Sequence, residues 1–270
     1  MYIRKTLLFV LVITLAFGLP SFANQEAPPQ PAQSDFRGVW VATAANTDYP
    51  LKPTTSAEAL KQEATAILDT VQSMGLNAVF LQVRPAADAI YPSEYFPWSR
   101  FLTGSEGVQP DQGFDPLAFW IDEAHKRNIQ LHAWITPFRV TKKANGEPDA
   151  LVPSNPAYQH QDWVVKHSDG NLYFNPGIPG VRKLIVDSTM EIVQKYNPDG
   201  IHFDGFFYPD QVFDDQAVYE QYKKGNESIA DWRRNNVNTL IREVYEAVKA
   251  SGKDIQFGIS PFGIWANRSG

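Results

Sequence analysis

The sequence predicts an α/β fold: the N-terminal portion, about five βα units, of a (β/α)8 TIM barrel, with the chain stopping before such a barrel closes. Three observations predict it. Apolar runs of strand length alternate with segments of helical periodicity, the pattern of βα units on a parallel sheet. In four successive runs, polar side chains fall on one parity near the C-terminal end, where the inward residues of a barrel build its site. No Gly-x-Gly-x-x-Gly follows the first run, which further disfavours a dinucleotide-binding fold.

The elements follow in order. "FRGVWVAT" (36–43) reads as the first strand. Thr55 and Glu58 stand as Thr-x-x-Glu, the spacing of a capping box, before a helix marked by Leu60, Ile67, Leu68, Val71 and Met74 and ended by Gly75. "NAVFLQVRP" (77–85) is the second strand. Asp115-Pro116 supplies an N-cap and a first helical residue for a helix through Trp120, Ile121 and Ala124. "IQLHAWITPF" (129–138) is the third strand; Val181, Leu184, Ile185, Ser188, Ile192 and Val193 then keep helical spacing until Pro198. "DGIHFDGFFYP" (199–209) is the fourth strand and its exit. Val237, Leu240, Ile241, Val244, Tyr245 and Val248 mark a helix closed by Gly252, and "IQFGISPFGIW" (255–265) is the fifth strand.

Alternation within a strand assigns faces. Gln82 with Arg84, His132 with Trp134, His202 with Asp204, and Gln256 with Ser260 are each expected to share the inner face.

The N-terminus reads as a processing segment. Arg4-Lys5 precede an apolar run from Leu7 to Leu19, followed by Ser21-Phe22-Ala23 with small residues at −3 and −1. Residues 1–23 are therefore expected to be a secretory signal cleaved after Ala23, since the run is short for a membrane span, which needs roughly 20 residues. The mature protein is expected to be secreted or extracytoplasmic, in the cell envelope, without stable membrane insertion. "NQEAPPQPAQS" (24–34) reads as a Pro/Gln-rich linker, and 35–270 as the barrel segment.

Composition narrows the chemistry. The net charge of −6 gives no reason to expect a nucleic-acid partner. With no cysteine, there is neither a disulfide framework nor a thiolate nucleophile. There is no His-x-His after the first strand, no His-Glu-x-x-His and no Gly-x-Ser-x-Gly. No metal site, no cofactor and no serine-hydrolase site are therefore expected. Aspartate, histidine, arginine and tryptophan at a barrel mouth suit cleavage of a glycosidic bond. That reaction needs two carboxyl groups and aromatic platforms for sugar rings. Asp204, at the end of the fourth strand, is the best single carboxylate. Arg84, His132 and His202 would hold its charge and bind hydroxyls, and Trp134, Trp98 and Trp265 are the platform candidates. Trp40, Trp120 and Trp232 read as packing, and Asp214-Asp215 as solvated surface. Asp48, Asp88 and Asp210 lie on loops after strands, where capping is the default.

"FRGVWVATAANTDYP", "LQVRPAADAIYPSEYFPWS", "HAWITPFRV", "NPGIPGVRKLI", "DGIHFDGFFYP" and "ISPFGIW", in this order, resemble the glycosyl hydrolase-like 10 family. The resemblance runs from Asp35 to the end of the chain. It implies a secreted or envelope (β/α)8 barrel. Its members include a divisome-associated hydrolase of peptidoglycan glycan strands stripped of stem peptides. Carried over by position, the family's site falls on Asn46, Asp48, Arg84, Asp88, His132, Trp134, Arg139, Asp204 and Tyr208. Two stretches depart from the family: Asp204-Gly205-Phe206 stands where relatives often have Asp-Asp-Tyr or Asp-Tyr, and Ile135-Thr136-Pro137 where they often have Phe-Asn-Pro. The partner carboxyl for Asp204 is then Asp48, Asp88 or a residue beyond Gly270. Two readings follow: a glycoside hydrolase acting on cell-wall glycan, and a non-catalytic barrel that binds the same polymer.

Overall fold

The computed structural model describes residues 35–142 and 151–261. The signal, the linker and Trp265 lie outside them.

Five parallel strands form one sheet: β1 (Gly38–Val41), β2 (Ala78–Arg84), β3 (Gln130–Ile135), β6 (Gly200–Asp204) and β7 (Gln256–Ser260), hydrogen-bonded in that order. They are the five predicted strands, each trimmed at its ends. Between β3 and β6 lies an antiparallel ribbon, β4 (Val164–Lys166) with β5 (Leu172–Phe174), which the sequence reading does not anticipate. Four helices return the chain between the parallel strands: α1 (Ala57–Ser73), α3 (Pro116–Lys126), α5 (Pro179–Lys195) and α7 (Ile229–Ala250). Short helices α2 (Arg100–Thr103), α4 (Pro156–Gln159) and α6 (Gln216–Tyr222) sit in the connections. This is the order and pairing of consecutive βα units in a (β/α)8 barrel.

Two faces of the sheet have different chemistry. Val79, Leu81, Leu131, Ala133, Ile135, Ile201 and Phe203 have no exposed surface and join the helix stripes in one core. Burial of such side chains stabilises by about 1.5–3 kcal/mol each. The inner face carries rings instead. Phe80 stacks on Trp40 at 4.6 Å and lies 4.8 Å from His132 and 5.0 Å from His202. Trp40 meets Trp134 at 4.9 Å and His202 at 4.8 Å, both edge-on. Trp40 thus belongs to the inner wall, 40% exposed, rather than to interhelix packing.

Glycines make room for these rings. His132 and Gly200 are direct partners across β3 and β6, and a Cβ on Gly200 would lie 2.1 Å from His132 Nδ1. The same relation holds one strand over, where a Cβ on Gly258 would lie 2.9 Å from His202 Nδ1. Each imidazole therefore leans over its neighbour's bare backbone.

Local signals held with two exceptions. Asp115 caps α3 through Ala118 N–H at 3.1 Å, with Pro116 next. Gly75 takes a φ of 70° after α1, where a side chain would be strained. The cap of α1, however, is Ser56, whose hydroxyl accepts from Ala59 N–H at 3.2 Å, not Thr55. Starting one residue later leaves Glu58 inside the first turn, where it bonds Gln62. Nor is Asp215 solvated. It is 1% exposed and paired with Arg233, whose Nε donates at 2.9 Å. That partner lies 18 residues away, on α7.

Candidate active site

Asp204 ends β6 and points to the inner face with His202, as alternation requires. Its carboxylate is 6% exposed and fully engaged. Oδ2 accepts from Trp134 Nε1 at 2.9 Å and from Thr136 Oγ1 at 2.5 Å, while Oδ1 accepts from Phe206 N–H at 3.4 Å. Burial raises the Asp204 pKa, and the bonds from Thr136 and Trp134, with the Arg139 charge, work against that rise.

Thr136 is the hub of this network. Its hydroxyl donates to Asp204 and accepts from Gln82 Nε2 at 3.2 Å and from Arg139 Nη2 at 3.3 Å. One donor and two lone pairs are thus all used. Gln82 in turn holds the loop after β1, its Oε1 accepting from Thr43 N–H at 3.1 Å and Ala44 N–H at 3.0 Å. Thr136 and Gln82 are site residues that the sequence reading did not select. The period-2 pattern placed Gln82 on the inner face, and that was the available signal.

Arg139 acts through its charge on both buried carboxyl groups. Its Nε donates to the Pro85 carbonyl at 2.9 Å, which fixes the guanidinium under the rim. Burial lowers its pKa, and Asp204 and Asp88 are among the negative groups opposing that. Asp88 is 5% exposed and accepts from Ala86 N–H at 3.1 Å. Burial pushes its pKa from the ordinary 3.8 up to about 6, against a hydrogen bond from the Ser99 side chain and the Arg139 charge. Near neutral pH, Asp88 therefore exchanges its proton far more readily than an exposed aspartate.

His202 contributes a neutral wall. Its Nε2 lies 2.7 Å from Ser260 Oγ, and burial, with His132 nearby, lowers its pKa to about 4. His132, deeper along the same face, is likewise held down by burial and touches Gln130 Oε1 at 3.3 Å.

Arg84 does not join this group. The β2–β3 register shifts between Gln82 and Arg84, so that Gln82 faces Trp134 but Arg84 faces Ile135. The bulge reverses the parity that alternation assigned to Arg84. Its guanidinium turns into the helix layer, fully buried, bonding Ser188 on α5 and lying 4.5 Å over the Phe96 ring. Asp48 also has a structural engagement: Oδ2 accepts from Ala42 N–H at 2.8 Å and closes the loop after β1. Asn46 pins that loop, its Nδ2 donating to the Pro50 carbonyl at 2.7 Å and the Phe101 carbonyl at 2.6 Å. Trp98 packs partly buried against the main core. Tyr208 lies further along the rim loop after β6, edge-on to Phe213 at 5.2 Å, and burial raises its pKa.

The β4–β5 ribbon borders the site. Arg139 bridges to Tyr173 of β5 through the backbone. His167, between the ribbon's strands, has Nδ1 3.2 Å from Asp169 and Nε2 3.1 Å from Asp210 of the rim loop. The ribbon, the rim loop and the end of β6 thus form one continuous border around Asp204.

Comparison with known proteins places this arrangement among others. A family model described as glycosyl hydrolase-like 10 matches residues 35–270. The chain is 44% identical over 272 residues to glycosyl hydrolase YngK of Bacillus subtilis, covering 98% of this chain and 51% of that protein. It is 37% identical over 269 residues to glycosyl hydrolase DigH of Escherichia coli strain K12, covering 93% of this chain and 60% of that one. The chain thus spans about half the length of the curated relatives it matches. Among solved structures, α-L-fucosidase isoenzyme 2 from Paenibacillus thiaminolyticus shares the fold, with a TM-score of 0.55, 14% identity, and coverage of 82% of this chain and 32% of that one.

Proposed function

Because the chain belongs to the glycosyl hydrolase-like 10 family, we propose that it is a secreted glycoside hydrolase of the cell envelope, cutting the glycan strands of peptidoglycan. The observation that carries the reading is the Asp204 carboxylate. It is buried at the C-terminal end of a barrel strand, held by Trp134 and Thr136, and faces Arg139 together with Asp88.

In this reading the roles divide by environment. Cleavage needs a negative charge beside the anomeric carbon and a proton for the departing oxygen. Asp204 supplies the charge that stabilises the oxocarbenium-like transition state, its position fixed before substrate arrives. Asp88, with its pKa near 6, supplies the proton. Trp134 does double duty: its indole N–H fixes Asp204, and its ring forms the wall against which a sugar ring can lie.

The choice of peptidoglycan rests on the family resemblance, and export rests on the Arg4 to Ala23 series. The test is incubation of the intact secreted protein with peptide-free glycan strands, with new reducing ends counted over time. Binding without release of reducing ends would favour the non-catalytic barrel.

A further inference from the structure

Beside the rim, outside the site just described, a cavity of about 620 Å³ opens between the N-terminal halves of α5 and α7 and the end of α6. Three cationic side chains line it: Arg182, Lys224 and Arg242. Among the described residues none of the three has a carboxylate within salt-bridge distance. Glu227 is the one acidic residue on the wall, and it is already engaged by Asn235 Nδ2 at 3.1 Å and Lys224 N–H at 2.8 Å. Glu243 is the acidic group whose charge reaches Arg182 from α7. A local excess of positive charge runs against a chain whose net charge is −6.

The wall also carries a buried donor without an acceptor. Asn236 is 7% exposed, its Oδ1 accepts from Arg182 Nη1 at 3.4 Å, and its side chain engages the Tyr208 hydroxyl. Arg182 Nε is buried and unpaired, although Nη1 donates to the Pro176 carbonyl at 2.8 Å. Buried donors without acceptors are rare in folded proteins and mark the place of a missing partner. Donors and positive charges converging on one cavity ask for a ligand that is all acceptor and negative.

From this convergence we infer that the cavity between α5 and α7 is an oxyanion-binding site, taking a carboxylate or phosphate group on charge-assisted hydrogen bonds from Arg182, Arg242 and Lys224. Arg182, Arg242 and Lys224 are separate from the side chains that hold Asp204.

The test uses the full chain at constant ionic strength, titrated with inorganic phosphate in one arm and acetate in the other. The Nε–H resonances of the arginines are followed by NMR. The expected result is a saturable shift of the Arg182 resonance in at least one arm, half-complete on the order of 1 mM, as suits a small ion on a few charged contacts. The arm that saturates at lower concentration identifies the group. Lys224 and Arg242 are exposed, so the double variant K224Q/R242Q should fold normally, with the same melting temperature in anion-free buffer. Its half-saturation concentration should rise at least ~10-fold. A shift that grows linearly and matches that of Arg234, an exposed arginine elsewhere on α7, would overturn the site. So would unchanged affinity in the double variant.

Discussion

Thr136 Oγ1 lies 2.5 Å from Asp204 Oδ2, and the same hydroxyl accepts from Gln82 and Arg139. A neutral side chain on β3's exit therefore sets both the position of the carboxylate and part of its acidity. Thr136→Val keeps the shape and removes all three bonds. Two buried donors then lose their acceptor, which costs about 1–3 kcal/mol of stability by urea unfolding. Losing a donor also favours the protonated carboxyl, so the Asp204 pKa should rise further. The acid limb of the pH–rate profile should then move to higher pH. Thr136→Ser restores the hydroxyl and should restore the limb. A profile unmoved in Thr136→Val would separate Thr136 from Asp204's acidity.

The two interior glycines should rank by clearance. A Cβ at Gly200 meets the His132 ring at 2.1 Å, and one at Gly258 meets His202 at 2.9 Å. Both distances are too short for an unshifted fit, and overpacking costs typically 1–3 kcal/mol. Gly200→Ala should lose more than Gly258→Ala, because the buried imidazole has less room to withdraw. Equal losses, measured by denaturant midpoint, would mean that the rings are not locked over the strands.

These relations show how far the sequence carries. The five parallel strands and four return helices were legible because each is a long run with one period, and a period survives small errors at its ends. Asp204 and His202 were placed correctly for the same reason. Arg84 was not, because a bulge between Gln82 and Arg84 changes the parity without changing the sequence pattern. The β4–β5 ribbon escaped because strands of three residues around His167–Asn171 carry too few positions to show alternation. Thr136 and Asp215 escaped because their roles come from partners distant in sequence: Gln82 and Asp204 for one, Arg233 for the other.

Two buried titratable groups should tilt stability with pH in opposite senses. His202 has a folded pKa of about 4, below its ordinary 6.5. Its contribution is present above pH 6.5 and is lost as pH falls toward 4. Asp88 has a folded pKa of about 6, above its ordinary 3.8. Its neutral form is the favoured one, so its contribution is present below pH 3.8 and is lost as pH rises through 6. Each spans on the order of 3 kcal/mol. Between pH 4 and 6 the two largely cancel in the wild type. His202→Gln should expose the Asp88 slope, with stability falling as pH rises, and Asp88→Asn should expose the opposite one. Urea unfolding of both variants at pH 4.5 and 6.5 reads the signs directly.

Export makes a simple expectation. N-terminal sequencing of the mature protein should begin at Asn24, after the Ser21-Phe22-Ala23 series. An intact Met1 on a protein recovered from the cytoplasm would refute the proposed localisation.

Asp204→Asn decides between a working carboxylate and a structural one. The substitution keeps the size and an acceptor for Trp134 and Thr136, but removes the charge. If that charge stabilises the transition state, release of reducing ends from peptide-free glycan should fall on the order of 10²-fold or more, since such electrostatic terms are usually the largest in catalysis. Binding of the glycan should change much less, because the rings of Trp134 and Trp40 remain in place. If instead the carboxylate exists to neutralise the buried Arg139, its loss leaves that interior charge opposed by the Asp88 carboxyl, and stability should fall by about 3–5 kcal/mol. The two measurements separate the roles. A well-folded variant that turns over glycan at the wild-type rate would end the catalytic assignment. A stable variant that binds but does not cut would place the charge of Asp204 at the reacting bond.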